Sequence, residues 1–333
     1  LFRTLVSDGH HHFPALWNAA PTRLRFMDGG TKSMKHSATM LLTLTALFIT
    51  SPLQGRIIHR EQSLYQTILV DDTGSRRCLQ FSVRRDQRSQ SCVDLKHPQR
   101  MVFTYTQMMM AGILLSPDPQ KILIIGLGGG TLPLALNDLF PEALIDVVEI
   151  DGVVVRVAEE YFGFQSSEHI KVFETDGRIF TKRAVMRHDQ YDLVILDAFN
   201  GDYIPEHLMT REYLQETRTL LGNKGTLVAN TFSQSRLYDH ESVTYASVFG
   251  DYFNFKQYPS SNRIILVSMA GLPTLDLLKA RATGWRDRLR AYRIPIHNYP
   301  DRMSRNIDWD RDARVLTDQY APANLLRSSN RHR

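Results

Sequence analysis

Cysteine is almost absent from this chain, with two in 333 residues. That excludes a disulfide-dense scaffold and a cysteine-rich zinc module. Of twelve histidines three form a triplet, His10, His11 and His12, with no partner histidine or cysteine at ligand spacing, so no metal is expected. There is no internal repeat and no low-complexity linker, which argues against a solenoid. The apolar stretch Ala38–Ile49 is shorter than the ~20 residues a membrane-spanning helix needs. What remains, 43% hydrophobic and 23% charged, is the composition of a globular protein with one sizeable core and a smaller module.

The formal charge of +5 is a property of one end. From Lys279 onward there are thirteen Lys/Arg against six Asp, so the rest of the chain is slightly acidic. No stacked-aromatic RNA motif accompanies this basicity, and no nucleic-acid partner is expected. The segment 277–293, LLKARATGWRDRLRAYR, spaces Leu277, Leu278, Trp285, Leu289 and Tyr292 as one face of an amphipathic helix with its arginines wet.

Residues 1–33 are unpatterned and read as an upstream extension. From Met34, MKHSATMLLTLTALFITSPLQG has a basic start, an apolar core and a turn-forming end, the pattern of a secretory signal or short anchor over 34–55. On that reading the protein is exported or membrane-associated through this segment; otherwise it is cytoplasmic. A buried amphipathic helix is the alternative, since Met40, Leu41, Leu44, Leu47 and Phe48 also have helical spacing. Arg77–Val83 and Ser89–Leu95 read as strands paired about a polar turn, with Cys78 and Cys92 opposed. Spacing leaves both a cross-strand disulfide and two free thiols open.

The chemistry concentrates in Lys121–Asp151. Ile122–Ile125 is a short β-branched run, followed at once by Gly126, Gly128, Gly129 and Gly130, then by helical spacing over Leu132–Phe140 and a second apolar strand, Ile145–Ile150. That strand delivers Glu149 and Asp151 about 20 residues past the glycines, where a carboxylate meets ribose hydroxyls. Glu149 is the better candidate, because Asp151 lies beyond the strand end. Two further strands end in acids: Lys171–Thr175 before Asp176 and Gly177, and Tyr191–Leu196 before Asp197. A dinucleotide would need room there for a second nucleotide half. A single nucleoside with a sulfonium arm needs a ribose acceptor, an adenine amino-group acceptor and a reaction-side polar group, which Glu149, Asp176 and Asp197 supply in order.

These residues resemble the spermidine synthase family of polyamine aminopropyltransferases: GLGGGT, VEID, TDG and YDLVILDAFNGDYIPEHL, with EQSLYQTILV upstream, over roughly Glu61 to Tyr252. The segment Val315–Leu326 also looks like the tail of bacterial spermidine-synthase-like proteins. The resemblance implies an α/β fold, a doubly wound Rossmann-like sheet of the S-adenosylmethionine methyltransferase type behind a small N-terminal β domain. It implies decarboxylated S-adenosylmethionine as co-substrate, a small-molecule amine as acceptor, no metal, and a homo-oligomer. Carried over by position, Gln66 would touch the nucleoside, Glu149 the ribose and Asp176 the adenine, with Gly126, Gly128, Gly130 and Gly177 shaping that site. Asp197 would take the proton of the attacking amine. Tyr105, Asn200 and Asp202 would face the acceptor.

Three positions depart from the family pattern. Gly129 stands where the family loop has an acid that repels a donor keeping its carboxylate. Asn200 replaces a second acid, with Asp202 two residues on as a substitute, and Tyr105-Thr106-Gln107 replaces a Tyr-His-Glu triplet. Two alternatives follow: a methyltransferase using S-adenosylmethionine itself, which the YFGF at Tyr161–Phe164 also resembles, and a non-catalytic nucleoside-binding protein. The expected layout is a β domain over 56–118, the nucleoside-binding domain over 119–270 and a basic tail over 271–333. His207, beside Pro205 and Glu206 at a helix start, reads as a solvated residue rather than a base.

Overall fold

The structure is a computed structural model that describes residues 55–83, 86–199 and 204–321. The signal-like segment up to Gln54 lies outside them, as do Asn200 and Asp202. Among the described residues no helix is long and apolar enough to cross a membrane.

The chain first forms a four-stranded antiparallel meander: β1 (Arg56–Gln62), β2 (Thr67–Thr73), β3 (Arg76–Val83) and β4 (Asp86–Asp94), paired in that order. Cys78 and Cys92 face each other across β3 and β4 and are joined as a disulfide, which resolves the pair left open by spacing. Ile68, Val70 and Leu79 on the inner face pack against Val154, Val157 and Phe162 of the body.

The body is built on an eight-stranded sheet ordered β12-β10-β11-β9-β8-β5-β6-β7. Its parallel part is β5 (Lys121–Ile125), β6 (Leu144–Glu149), β7 (Ile170–Glu174), β8 (Tyr191–Leu196) and β9 (Leu221–Phe232). The antiparallel side is β11 (Asn262–Ser268), β10 (Phe253–Lys256) and β12 (Met303–Ser304). Because β6 and β7 lie on one side of β5 and β8 and β9 on the other, the order reverses between β5 and β8, which opens a crevice at their carboxyl ends.

Both faces of the sheet are covered, as its apolar strands demand. Ile122 and Ile124 of β5 enter one core, and Leu123 and Ile125 the other. The first core takes residues from α1 (Thr104–Met109), α2 (Thr131–Leu139), α3 (Gly152–Tyr161) and α7 (Leu275–Trp285); the second takes α4 (Gly177–Met186), α5 (Arg211–Leu220) and α6 (Tyr238–Phe249).

Two boundaries differ from the sequence reading. The β module ends as a sheet at Asp94, and Met108, Met109, Met110, Ile113 and Leu114, inside the expected 56–118 unit, are buried in the core of the α/β body. The physical reason is the methionine-rich apolar run itself, which the sheet of the body covers and the small meander cannot. The described part of the basic 271–333 segment belongs to the body: Leu278, Trp285, Leu289 and Tyr292, the face expected to pack, are buried in that same core with Ile296 and Tyr299, while Arg281 and Arg288, expected to stay wet, donate to the carbonyls of Leu114 and Leu139 at 2.6 and 2.5 Å. The amphipathic helix stops at Trp285, and Leu277 lies off the buried stripe, 43% exposed.

Candidate active site

A cavity of about 430 Å³ opens at the carboxyl ends of β5, β6 and β8, roofed on one side by the N-terminal meander. It brings together Gln66, Tyr105, Gly126, Gly128, Glu149, Asp176, Gly177 and Asp197. The switch point gathers the residues at the ends of β5, β6 and β8, while the meander supplies Gln66 and α1 supplies Tyr105.

The glycine loop shows why its residues lack side chains. Gly126 adopts φ +104°, and a Cβ there would lie 2.4 Å from the Asp197 carbonyl oxygen. The end of β5 is thus pressed against the end of β8, and the Asp197 backbone N–H donates to the Ile125 carbonyl at 2.8 Å. At Gly129 a Cβ would meet Ser91 Oγ at 2.8 Å and the Phe162 ring at 3.1 Å, so the space of the missing family acid is taken by β4 and by the residue after α3. Gly130 is the left-handed N-cap of α2 and is absent from the cavity lining.

Glu149 closes the loop from the β6 side. Its Oε2 accepts the Leu127 backbone N–H and its Oε1 the Asp151 N–H, both at 3.0 Å. Burial raises its pKa, and those backbone donors oppose the rise. Asp151 serves as N-cap of α3 through Oδ1, while its Oδ2 is buried without a partner.

Asp176 caps α4, accepting from the Arg178 and Ile179 N–H groups through Oδ1 at 2.9 and 3.0 Å. Its Oδ2 meets His207 Nε2 at 2.8 Å. This hydrogen bond, followed by the opposing effect of burial, leaves the Asp176 carboxyl below its usual pKa. His207 is exposed, in keeping with the solvated residue read from the sequence, and through this bond it also stands at the cavity wall; the turn Glu206–Leu208 that carries it is a single 3₁₀ turn before α5.

Asp197 is the most perturbed carboxylate in the cavity: burial pushes its pKa up to about 7, against the lowering effect of a hydrogen bond from Asn230 Nδ2 to Oδ1 at 2.8 Å. Asn230 is itself held, since its Oδ1 accepts from Asn262 Nδ2 at 3.0 Å and Asn262 Oδ1 accepts from Ser260 Oγ at 3.1 Å. Sequence reasoning missed this relay; the signal was one asparagine inside the apolar strand LVANTF. Tyr105 stands nearby, its hydroxyl donating to the Gln90 carbonyl at 3.0 Å, and its pKa is raised by burial and by the Asp197 charge. Gln66 lines the cavity with its Oε1 buried and unpartnered, free to accept from a ligand. Gln107 turns away and donates to the Met101 carbonyl.

With this geometry in place, comparison with known proteins is specific. The spermine/spermidine synthase domain family matches residues 102–265. The polyamine aminopropyltransferase of Vibrio vulnificus is 50% identical over 291 residues, covering 86% of this chain and 96% of that protein. This chain belongs to the spermine/spermidine synthase family. A probable spermidine synthase from Corynebacterium glutamicum superposes with a TM-score of 0.59 at 19% identity, covering 78% of this chain and 99% of that one. Human methyltransferase-like protein 13, solved with SAH, superposes at 0.52 with 24% identity, over 67% and 99%. These two likenesses show the shared fold. Among the described residues there is no group of three or more His, Cys, Asp and Glu that could hold a metal ion.

Proposed function

We propose that this spermine/spermidine synthase family member is a polyamine aminopropyltransferase that takes its aminopropyl group from decarboxylated S-adenosylmethionine. The observation that carries the reading is the set of three strand-end carboxylates around one cavity, with the reaction-side member, Asp197, poised near pKa 7. The naming of the Vibrio vulnificus relative supports it.

In this reading Glu149 accepts the ribose hydroxyls, held rigid by the Leu127 and Asp151 N–H groups. Asp176, beside Gly177, accepts the adenine amino group, and Gln66 reaches the nucleoside from the meander. Gly126 and Gly128 let the loop approach it. Tyr105 lines the acceptor side; Asn200 and Asp202, which the family resemblance assigns to the acceptor, lie outside the described residues. The neutral amine nitrogen attacks the propyl carbon next to the sulfonium; the C–N bond forms as the C–S bond breaks, and methylthioadenosine leaves uncharged. The sulfonium supplies the leaving-group activation, so the protein's work is alignment and proton removal. Asp197 takes the proton of the attacking amine, so that its nitrogen is neutral at the moment of transfer, and returns that proton to solvent. The acceptor is a small polyamine-type amine, and the active form is a homo-oligomer.

The test is incubation with each donor and a diamine, with products read by mass spectrometry. An aminopropylated amine from the decarboxylated donor supports the proposal. A methylated amine from S-adenosylmethionine would replace it with methyl transfer, and calorimetry showing no binding of either donor or of methylthioadenosine would leave a non-catalytic protein.

A further inference from the structure

The donor side of the cavity is braced by a residue far away in sequence. Arg178, the second residue of α4, donates its backbone N–H to Asp176 Oδ1, and its guanidinium reaches the His207 carbonyl at 3.4 Å. Arg178 thus contacts both members of the Asp176–His207 pair. The same guanidinium forks onto two acids. Nη1 and Nη2 meet the two oxygens of Asp318 at 2.6 and 2.7 Å, and Nε and Nη2 meet Glu216 of α5 at 3.2 Å each. The Arg178 side chain is only 11% exposed, and its planar fork suits two carboxylates at once.

Asp318 is itself fixed from three directions. Its Oδ1 accepts the Thr210 hydroxyl at 2.8 Å, its backbone N–H donates to Glu212 Oε2 at 3.0 Å, and two residues earlier Leu316 is fully buried in the same apolar core as Leu208. The Leu316 carbonyl accepts the Arg211 N–H at 2.8 Å. Thr210 also caps α5 by accepting from the Tyr213 N–H. One carboxylate near the C-terminal end therefore joins the start of α4, the turn carrying His207 and the start of α5.

We infer that Asp318 is a positioning residue for donor binding: through Arg178 and Thr210 it holds the Asp176–His207 pair in the geometry that meets the adenine. The inference rests on the donor-site reading of Asp176 given above. Without Asp318, Arg178 keeps Glu216 but loses its shorter fork, and Thr210 loses its acceptor. The His207 turn is then tied to α4 by less, and Asp176 Oδ2 is presented over a wider range of positions.

The experiment is steady-state kinetics of the full chain with Asp318→Ala, varying the decarboxylated donor and the amine separately. The donor KM is expected to rise about 5- to 10-fold, with kcat within about twofold and the amine KM unchanged. Asp318→Glu, which keeps the charge, should restore most of the donor affinity. A purely structural role would lower the amount of active enzyme, hence apparent kcat, and leave both KM values alone. That result, or an equal rise in both KM values, overturns the inference. Should the alanine variant fail to fold, Arg178→Lys is read in the same way, because one ammonium cannot make both forks. Glu149→Ala is measured beside them: if it raises donor KM while the Asp318 and Arg178 variants do not, the inference fails and the donor site stands. If none of the three does, the donor-site reading itself fails.

Discussion

Asn230 donates its side-chain amide to Asp197 across 2.8 Å, and this is the hydrogen bond that holds down the pKa of a carboxylate burial would otherwise push higher. The Asn262 amide on Asn230 Oδ1 leaves the NH₂ of Asn230 facing Asp197. A buried strand residue thereby sets the proton affinity of the group proposed to take a proton in the reaction.

Asn230→Leu should therefore move the acid limb of the pH profile. The base must be unprotonated, so kcat/KM falls as pH drops through the Asp197 pKa. Removing the donor that lowers that pKa shifts the fall to higher pH. The profile of kcat/KM between pH 6 and 9 checks this, and Asn262→Ala should shift it in the same direction by less. An unmoved limb would remove Asn230 from control of the base.

Asp197→Asn should separate activity from stability. Aminopropyl transfer is expected to fall about 10²-fold or more for loss of a proton acceptor, while nucleoside affinity stays nearly intact. The folded pKa lies above that of the unfolded chain, so between pH 4 and 7 the folded state binds more protons and stability declines as pH rises through that window. The variant carries no such charge and should melt higher than the parent at pH 8, with the difference shrinking toward pH 4. Thermal melts at the two pH values decide it.

Glu149→Ala removes the expected ribose acceptor and leaves the Leu127 and Asp151 N–H groups without their partner. Nucleoside binding should weaken by roughly 2–3 kcal/mol, read by calorimetry with methylthioadenosine. Unchanged affinity would mean that the ribose sits elsewhere.

Gly129→Ala places a methyl 2.8 Å from Ser91 Oγ and 3.1 Å from the Phe162 ring. Overpacking of this kind costs about 1–3 kcal/mol of stability. The double variant with Ser91→Ala should recover part of the loss, since one of the two crowding atoms is gone. Denaturant melts of the single and double variants measure the recovery.

Arg263→Met tests a buried ion pair beside the relay, at the residue after Asn262. Arg263 is fully buried, donating to Thr231 Oγ1, Ser242 Oγ and Glu241 Oε2 at 2.7, 2.5 and 3.0 Å. Its loss leaves three acceptors unserved, with an expected cost of about 3–5 kcal/mol by denaturant unfolding.

Much of the site could be read from the chain. Strand, glycine turn, helix and strand follow one another in local sequence, and side-chain periods of two and 3.6 residues report such elements directly. So the β5-to-β6 unit and the strand ends at Glu149 and Asp197 were legible. Residues whose partners lie far off were not. Nothing near Asn230 in sequence announces Asp197, nothing near His207 announces Asp176, and Thr104–Leu114 joined the wrong unit because a methionine run says only that it will be buried, not against what.

By itself the sequence determined that three acids would end three parallel strands beside a glycine turn, because hydrophobic period and backbone freedom are local properties. The tertiary structure decided the rest. The reversal of strand order at β5 gathered those acids around one cavity, the disulfide paired the meander, and the last described residues came back over the body so that Asp318 could reach Arg178. The reason is that charge pairing, burial and the resulting proton affinities depend on which surfaces meet, and that follows from the packing of elements remote in the chain.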